Sequence, residues 1–137
     1  MSKHYSDALV ILCGDDRYSP EKELHKGYEA VLAAEESHCH FKATAFGAAL
    51  SVANPKHEEY WLDVLATAKH LGITRIIVIN HLDCGAVKLA HPDITETEER
   101  QINIDLLKSA CQFFAKHAPE MNFSGYLQDF DDFEKIC

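Results

Sequence analysis

Short continuous runs of apolar residues alternate along this chain with longer segments in which apolar residues recur at helical spacing. Two of the runs, over 8–13 and 75–80, are apolar almost throughout and are followed at once by polar or glycine residues. Runs of this length and composition are typical of buried strands in a parallel sheet. Further strands are predicted within 40–52, beside an irregular Ala/Gly-rich piece, and over 122–130.

Three segments between these strands predict helices. The first begins at Ser19-Pro20-Glu21, where an N-cap residue precedes a proline, and the second begins at Asn54-Pro55 and ends at Gly72. The third begins at Thr95, which forms a possible capping box with Glu98, and ends before a proline at position 119. A further short helix is expected after Cys84-Gly85.

Strands that alternate with helices predict an α/β fold. We expect a mostly parallel central sheet of about four to five strands flanked by helices, with the strands over 8–13 and 75–80 in central positions. The chain has 137 residues, of which 47% are hydrophobic and 26% charged, as in an ordinary globular protein. We therefore expect one domain over 1–137.

Charge and composition narrow the choice of partners. The 13 basic residues are outnumbered by 22 acidic ones, for a net charge of −9, which argues against nucleic-acid and anionic-membrane partners. No apolar run is long enough to span a bilayer, and residues 1–7 lack the pattern of a secretory signal, so a cytoplasmic location is expected. In that compartment the five cysteines should be metal ligands, catalytic groups or buried residues rather than disulfides, with Cys111 in the core and Cys137 a disordered end.

The residues with the most distinctive chemistry follow the two central strands. Segment 13–17 reads Cys-Gly-Asp-Asp-Arg, and segment 81–85 reads His-Leu-Asp-Cys-Gly. Sites in open α/β sheets form beyond the carboxyl ends of the strands, so Cys13, His81 and Cys84 should meet there. Two thiolates and one imidazole form a catalytic zinc set that leaves a fourth position for water or substrate.

Asp15 and Arg17 alternate in the first of these segments and could form a bidentate ion pair. In one interpretation the pair is a surface salt bridge of little energetic value. In the other, Arg17 keeps Asp15 ionised and directed toward the fourth metal position, where it accepts a hydrogen bond from a zinc-bound hydroxide or ligates zinc itself. The segment 38–40, His-Cys-His, offers three more donors, but strand alternation places Cys39 on the opposite face, which argues against a second metal site.

Taken together, Cys-x-Asp-x-Arg and His-x-x-Cys-Gly resemble the paired signature of the β-class carbonic anhydrases. The resemblance covers most of residues 8–130 and includes the sequence around Leu71-Gly72-Ile73 and the segment 122–129. It implies zinc held by Cys13, His81 and Cys84, with Asp15 and Arg17 as the catalytic dyad. In some members of that family the aspartate closes onto zinc as a fourth ligand. The resemblance also implies a homodimer or higher homo-oligomer with the site near the subunit interface.

The expected activity is the reversible hydration of carbon dioxide to bicarbonate, through a zinc-bound hydroxide. One alternative is hydrolysis of a CO₂-like molecule, carbon disulfide or carbonyl sulfide, on the same scaffold. A second is a zinc-stabilised binding or regulatory domain without catalysis. A third, a metal-free thiol-redox or nucleotide-binding module, is disfavoured because the chain has neither a C-x-x-C pair nor a Gly-rich phosphate loop.

Overall fold

The strands form one five-stranded sheet in the computed structural model, which describes residues 6–37 and 40–137. Their order across the sheet is β2-β1-β3-β4-β5; the first four are parallel and β5 pairs antiparallel with β4. The strands are β1 (Ala8–Leu12), β2 (His40–Thr44), β3 (Arg75–His81), β4 (Asn122–Asp129) and β5 (Asp132–Lys135). The predicted α/β class is confirmed, and the two apolar strands, β1 and β3, are interior neighbours.

Helices cover both faces of this sheet. They are α1 (His25–Ala34), α2 (Ala49–Ala53), α3 (Glu58–His70), α4 (Gly85–Ala90) and α5 (Glu96–His117). Because side chains alternate along a strand, β1 contributes to two core layers. Leu9 and Ile11 pack in the layer that contains residues of α2, α3 and α5, while Val10 and Leu12 pack in the layer that contains residues of α1 and α4.

The first helix begins later than the sequence pattern predicts. It starts at His25 rather than near Ser19-Pro20-Glu21, because Glu21 has a positive φ of 68°, which interrupts a helix. Two further elements were not predicted. The short helix α2 lies in the Ala/Gly-rich piece, and β5 returns beside β4 with all four of its residues exposed.

The predicted absence of disulfides is wrong: Cys111 of α5 is bonded to Cys137. The last residues run beside β4, where the Gly125 N–H donates to the Cys137 carbonyl at 2.8 Å and the Ile136 N–H donates to the Gly125 carbonyl at 2.7 Å. A Cβ atom on Gly125 would lie 2.7 Å from the Cys137 sulfur. The missing side chain therefore makes room for the bond, and Cys137 is ordered.

The carboxyl ends of β1 and β3 lie side by side. Leu12 is in register with Ile79, so the segments that follow the two strands emerge at the same edge of the sheet. After β1 the chain forms a 3-10 turn over Asp16–Tyr18, and after β3 it forms a tight loop that enters α4. This edge holds the residues with the most distinctive chemistry. None of the helices in 6–37 and 40–137 is long and apolar enough to cross a membrane.

Candidate metal centre

Three soft donor atoms converge where β1 and β3 end. Cys13 directly follows β1, His81 is the last residue of β3, and Cys84 is the N-cap of α4. One donor atom from each lies within 4.8 Å of the others, and the two sulfurs are 4.0 Å apart. All three residues are buried. The structure therefore brings together the three residues that the sequence singled out as metal ligands.

The ring of His81 is oriented so that one nitrogen faces the two sulfurs. Its Nδ1–H donates to the carbonyl of Leu82 at 2.7 Å, which leaves Nε2 as the unprotonated nitrogen. Nε2 is buried and has no hydrogen-bond partner in the part of the chain that the structure describes. A buried acceptor without a partner is costly unless something binds it. The donor set therefore fits a zinc ion, which two sulfurs and one imidazole nitrogen prefer to bind.

The two sulfurs differ in their surroundings. The Gly47 N–H lies 3.4 Å from the Cys13 sulfur and donates to it. The hydrogen bond between the two cysteines lowers the pKa of Cys84 and raises that of Cys13, because one thiolate is stabilised by the proton that the other retains. Burial raises the pKa of Cys84, whereas the Val87 N–H lowers it further. The pair thus has one sulfur that ionises readily, as metal binding requires.

Asp15 lies next to the donor set, paired with Arg17. Arg17 Nε donates to Asp15 Oδ1 at 3.0 Å and Nη2 donates to Oδ2 at 2.8 Å, so the predicted bidentate pair is present. These bonds lower the pKa of Asp15 to about 2. Asp15 Oδ2 is 3.7 Å from His81 Nε2. It is not one of the three donor atoms that lie within 4.8 Å of one another in the described part of the chain. The carboxylate faces the three donors from outside their group.

Arg17 also contacts the loop after β3. Its Nη1 donates to Asp83 Oδ2 at 2.9 Å, and its Nη2 donates to the Asp83 carbonyl at 2.9 Å. Asp83 in turn contacts Lys88 through its carboxylate and Glu99 through its backbone N–H. The sequence analysis placed Asp83 only as a loop residue and missed Glu99, which lies on α5. An acidic residue that is only 7% exposed on a helix was not recognisable from spacing alone.

A buried polar contact joins β3 to two helices directly before His81. Asn80 accepts a hydrogen bond from the Ala49 N–H at 2.9 Å and donates to Asn103 Oδ1 at 2.9 Å. Asn103 is completely buried and donates to the Glu99 carbonyl. The sequence contained a sign of this contact, because the polar residue Asn103 lies among the apolar positions of α5.

A cleft of about 820 Å³ opens in front of the donor set. Cys13, Asp15 and Arg17 line it together with two apolar side chains, Phe46 and Leu89. These two are 73% and 85% exposed, so the cleft has apolar as well as polar walls. The segment 38–40, which the sequence analysis argued against as a second metal site, falls partly outside the described residues, since 38 and 39 are not among them.

Comparisons with solved structures find the same fold in several β-carbonic anhydrases. One, from the fungal pathogen Aspergillus fumigatus, has a TM-score of 0.64 and 12% identity, and the match covers 96% of this chain and 76% of that one. A structure from Sordaria macrospora, described as tetrameric, has a TM-score of 0.64 and 12% identity over 97% and 81%. Isoform I from Trichomonas vaginalis has a TM-score of 0.62 and 13% identity over 99% and 85%.

No protein-family model matches the chain, and no curated protein matches it in sequence. The chain therefore shares the fold of these β-carbonic anhydrases at only 12–13% sequence identity. The resemblance that the paired motifs indicated is confirmed at the level of the fold. The buried Cys-His-Cys group lies on that scaffold, at the carboxyl edge of the sheet.

Proposed function

We propose that this protein is a zinc-dependent carbonic anhydrase that catalyses the reversible hydration of carbon dioxide to bicarbonate. The observation that carries the proposal is the convergence of Cys13, His81 and Cys84 beside a bidentate Asp15–Arg17 pair. The likeness of the whole fold to β-carbonic anhydrases supports it. When bound there, zinc would supply a Lewis acid that lowers the pKa of a water toward neutrality.

The residues around the donors suit that chemistry. Asp15 is ionised at neutral pH, and Arg17 lowers its pKa further, to about 2. Its Oδ2 therefore offers a hydrogen-bond acceptor beside the donor set. An acceptor fixed in this way orients a reacting water and favours one direction of attack. Phe46 and Leu89 provide an apolar entrance that suits an uncharged, nonpolar gas.

A stopped-flow CO₂ hydration assay on zinc-loaded protein tests the activity. We expect wild type to hydrate CO₂ well above the uncatalysed rate and Asp15→Asn to lose roughly 100-fold in kcat/KM, as for removal of a positioned acceptor. Asp16→Asn, the same change on the exposed neighbouring residue, is the matched control and should retain wild-type activity. Background rates for wild type and Asp15→Asn alike would contradict the enzymatic proposal.

Hydrolysis assays with carbon disulfide and carbonyl sulfide, and a zinc analysis of the same protein, distinguish the alternatives. Hydrolysis of carbon disulfide or carbonyl sulfide, without CO₂ hydration, would indicate a different small substrate in the same cleft. Bound zinc without any of these activities would indicate a binding or regulatory domain.

We also propose that the protein assembles as a homodimer or larger homo-oligomer. Phe46 and Leu89 expose apolar surface beside the cleft, and such surface is commonly covered in an assembly. The Sordaria enzymes of the same fold are described as tetrameric. Sedimentation velocity on the zinc-loaded protein measures the mass of the assembly, and a monomer at all concentrations would contradict the proposed homo-oligomer.

The cytoplasmic location stays a prediction from the sequence.

A further inference from the structure

The guanidinium group of Arg17 lies between two carboxylates. One edge holds Asp15, while Nη1 and Nη2 reach across to the side chain and carbonyl of Asp83. We propose that Asp83 is a positioning residue that fixes Arg17 and thereby holds Asp15 beside the metal donors without letting it join them. The inference rests on the proposed zinc site and assigns a role to a residue outside the metal-binding and dyad positions.

Asp83 is itself fixed from three directions. Its backbone has a positive φ of 60°, which sets the direction of its side chain in the tight loop after β3. Its N–H donates to Glu99 Oε1, and its Oδ1 accepts from Lys88 Nζ. Glu99 is only 7% exposed and lies on the 22-residue helix α5, so this support belongs to the rigid part of the fold.

The charges along this connection alternate in sign. Asp15, Arg17, Asp83, Lys88 and Glu99 follow one another, and each group is 4.0 Å or less from the next. An isolated exposed ion pair holds a long side chain poorly because ordering it costs rotamer entropy. A connected series of ion pairs distributes that entropy cost over several contacts. The planar guanidinium also loses less rotamer entropy per hydrogen bond, because its donors are already arranged as a fork. Arg17 is therefore held at both ends.

The position of Asp15 explains why such support matters. Asp15 Oδ2 is 3.7 Å from His81 Nε2, so a small movement would bring the carboxylate to a metal ion held by the three donors. Arg17 opposes that movement only while it is itself fixed. With Asp83 in place, Asp15 stays paired with Arg17, and a metal ion held by the three donors would stay accessible to small ligands.

The affinity of the metal-loaded protein for an anion tests this role without measuring catalysis. Protein loaded with Co²⁺, a spectroscopic substitute for zinc, is titrated with azide and followed by visible absorption. We expect Asp83→Asn to bind azide about fivefold more weakly, the effect of about one lost charge-assisted contact. Asparagine is well tolerated at positive φ, so the loop should keep its shape.

The direction of this change separates positioning from simple charge effects. Removing a negative charge near the metal should, by Coulomb's law alone, make an anion bind more tightly. Weaker binding would run against this charge effect and is the result expected if Asp15 moves toward the metal. The double variant Asp15→Asn/Asp83→Asn should restore azide affinity, because an amide competes poorly for the metal. Asp63→Asn, at an exposed position of α3, is the matched control and should bind azide like wild type.

The outcomes distinguish this inference from the proposed function. Azide binding by Asp83→Asn that equals or exceeds that of wild type overturns the positioning role, whatever the CO₂ assay shows. Weaker binding that the double variant does not restore also overturns it. A wild-type protein that takes up no Co²⁺ or zinc overturns both proposals, whereas metal uptake without hydration overturns only the enzymatic one.

Discussion

Backbone groups orient the side chains of the candidate metal centre. The Gly47 N–H points at the Cys13 sulfur and the Leu82 carbonyl fixes the tautomer of His81, so no second side chain is needed for either contact. The residue types and strand ends predicted that Cys13, His81 and Cys84 would lie together, because parallel strands bring their carboxyl ends to the same edge of the sheet. Gly47 and Glu99 could not be identified, since their contacts depend on how a loop and a distant helix pack.

Cys84→Ser should abolish metal binding. We expect purified wild type to contain about one zinc per chain and the variant almost none, because a serine hydroxyl is not ionised at neutral pH and is a poor ligand. Metal analysis after gel filtration measures the content. Cys111→Ser is the matched control, since it changes a cysteine of the disulfide and should keep its zinc. A full complement of zinc in Cys84→Ser would show that these donors do not form the site.

At the scale of elements, the apolar periodicity located β1, β3, α3 and α5 well and located their ends less well. Thr95 caps α5 as predicted, accepting the Glu98 N–H. The first helix was placed too early because Glu21 has a positive φ, which the helix-start pattern at 19–21 does not reveal. The exposed β5 was missed because no apolar alternation marks it.

Gly27 shows how tightly α1 packs against the end of β4. A Cβ atom there would lie 2.1 Å from the Phe130 carbonyl oxygen and 2.5 Å from Gln128 Nε2. Gly→Ala normally stabilises a helix by up to about 1 kcal/mol, but here the clash should reverse the sign. We expect Gly27→Ala to lower the free energy of unfolding by about 2 kcal/mol, measured by urea denaturation.

Gly85→Ala is the matched control for that measurement. Gly85 is also helical, and a Cβ atom added to it would meet nothing within 4 Å. The free energy of unfolding of the Gly85→Ala variant should be equal to that of wild type or slightly higher. Equal stability of Gly27→Ala and wild type would show that α1 packs more loosely than described.

At the scale of the whole molecule, two core layers on one sheet position the site, and a disulfide joins α5 to the last residue. The sequence indicated the layers through its continuous apolar strands. It did not indicate the disulfide, because a reducing compartment was expected. The positions of the cysteines in the sequence also do not show which of them the fold brings together. The single domain over 1–137 stays a prediction.

The disulfide should contribute about 3 kcal/mol to stability, since it closes a loop of 26 residues. Cys111→Ser and Cys137→Ser should each lower the free energy of unfolding by this amount. The double variant should be no less stable than either single one, because one bond is lost in every case. Fully additive losses would show that the two sulfurs act independently.

The wide separation of the donors has a consequence for how the protein matures. Cys13 and Cys84 are 71 residues apart, whereas His81 and Cys84 are nearly adjacent. Of these three donors, an unfolded chain keeps only His81 and Cys84 close together, and the Cys13 thiol joins them when β1 pairs with β3. Tight capture of the ion is thus a late event in folding, and its rate would report on assembly of the sheet's centre.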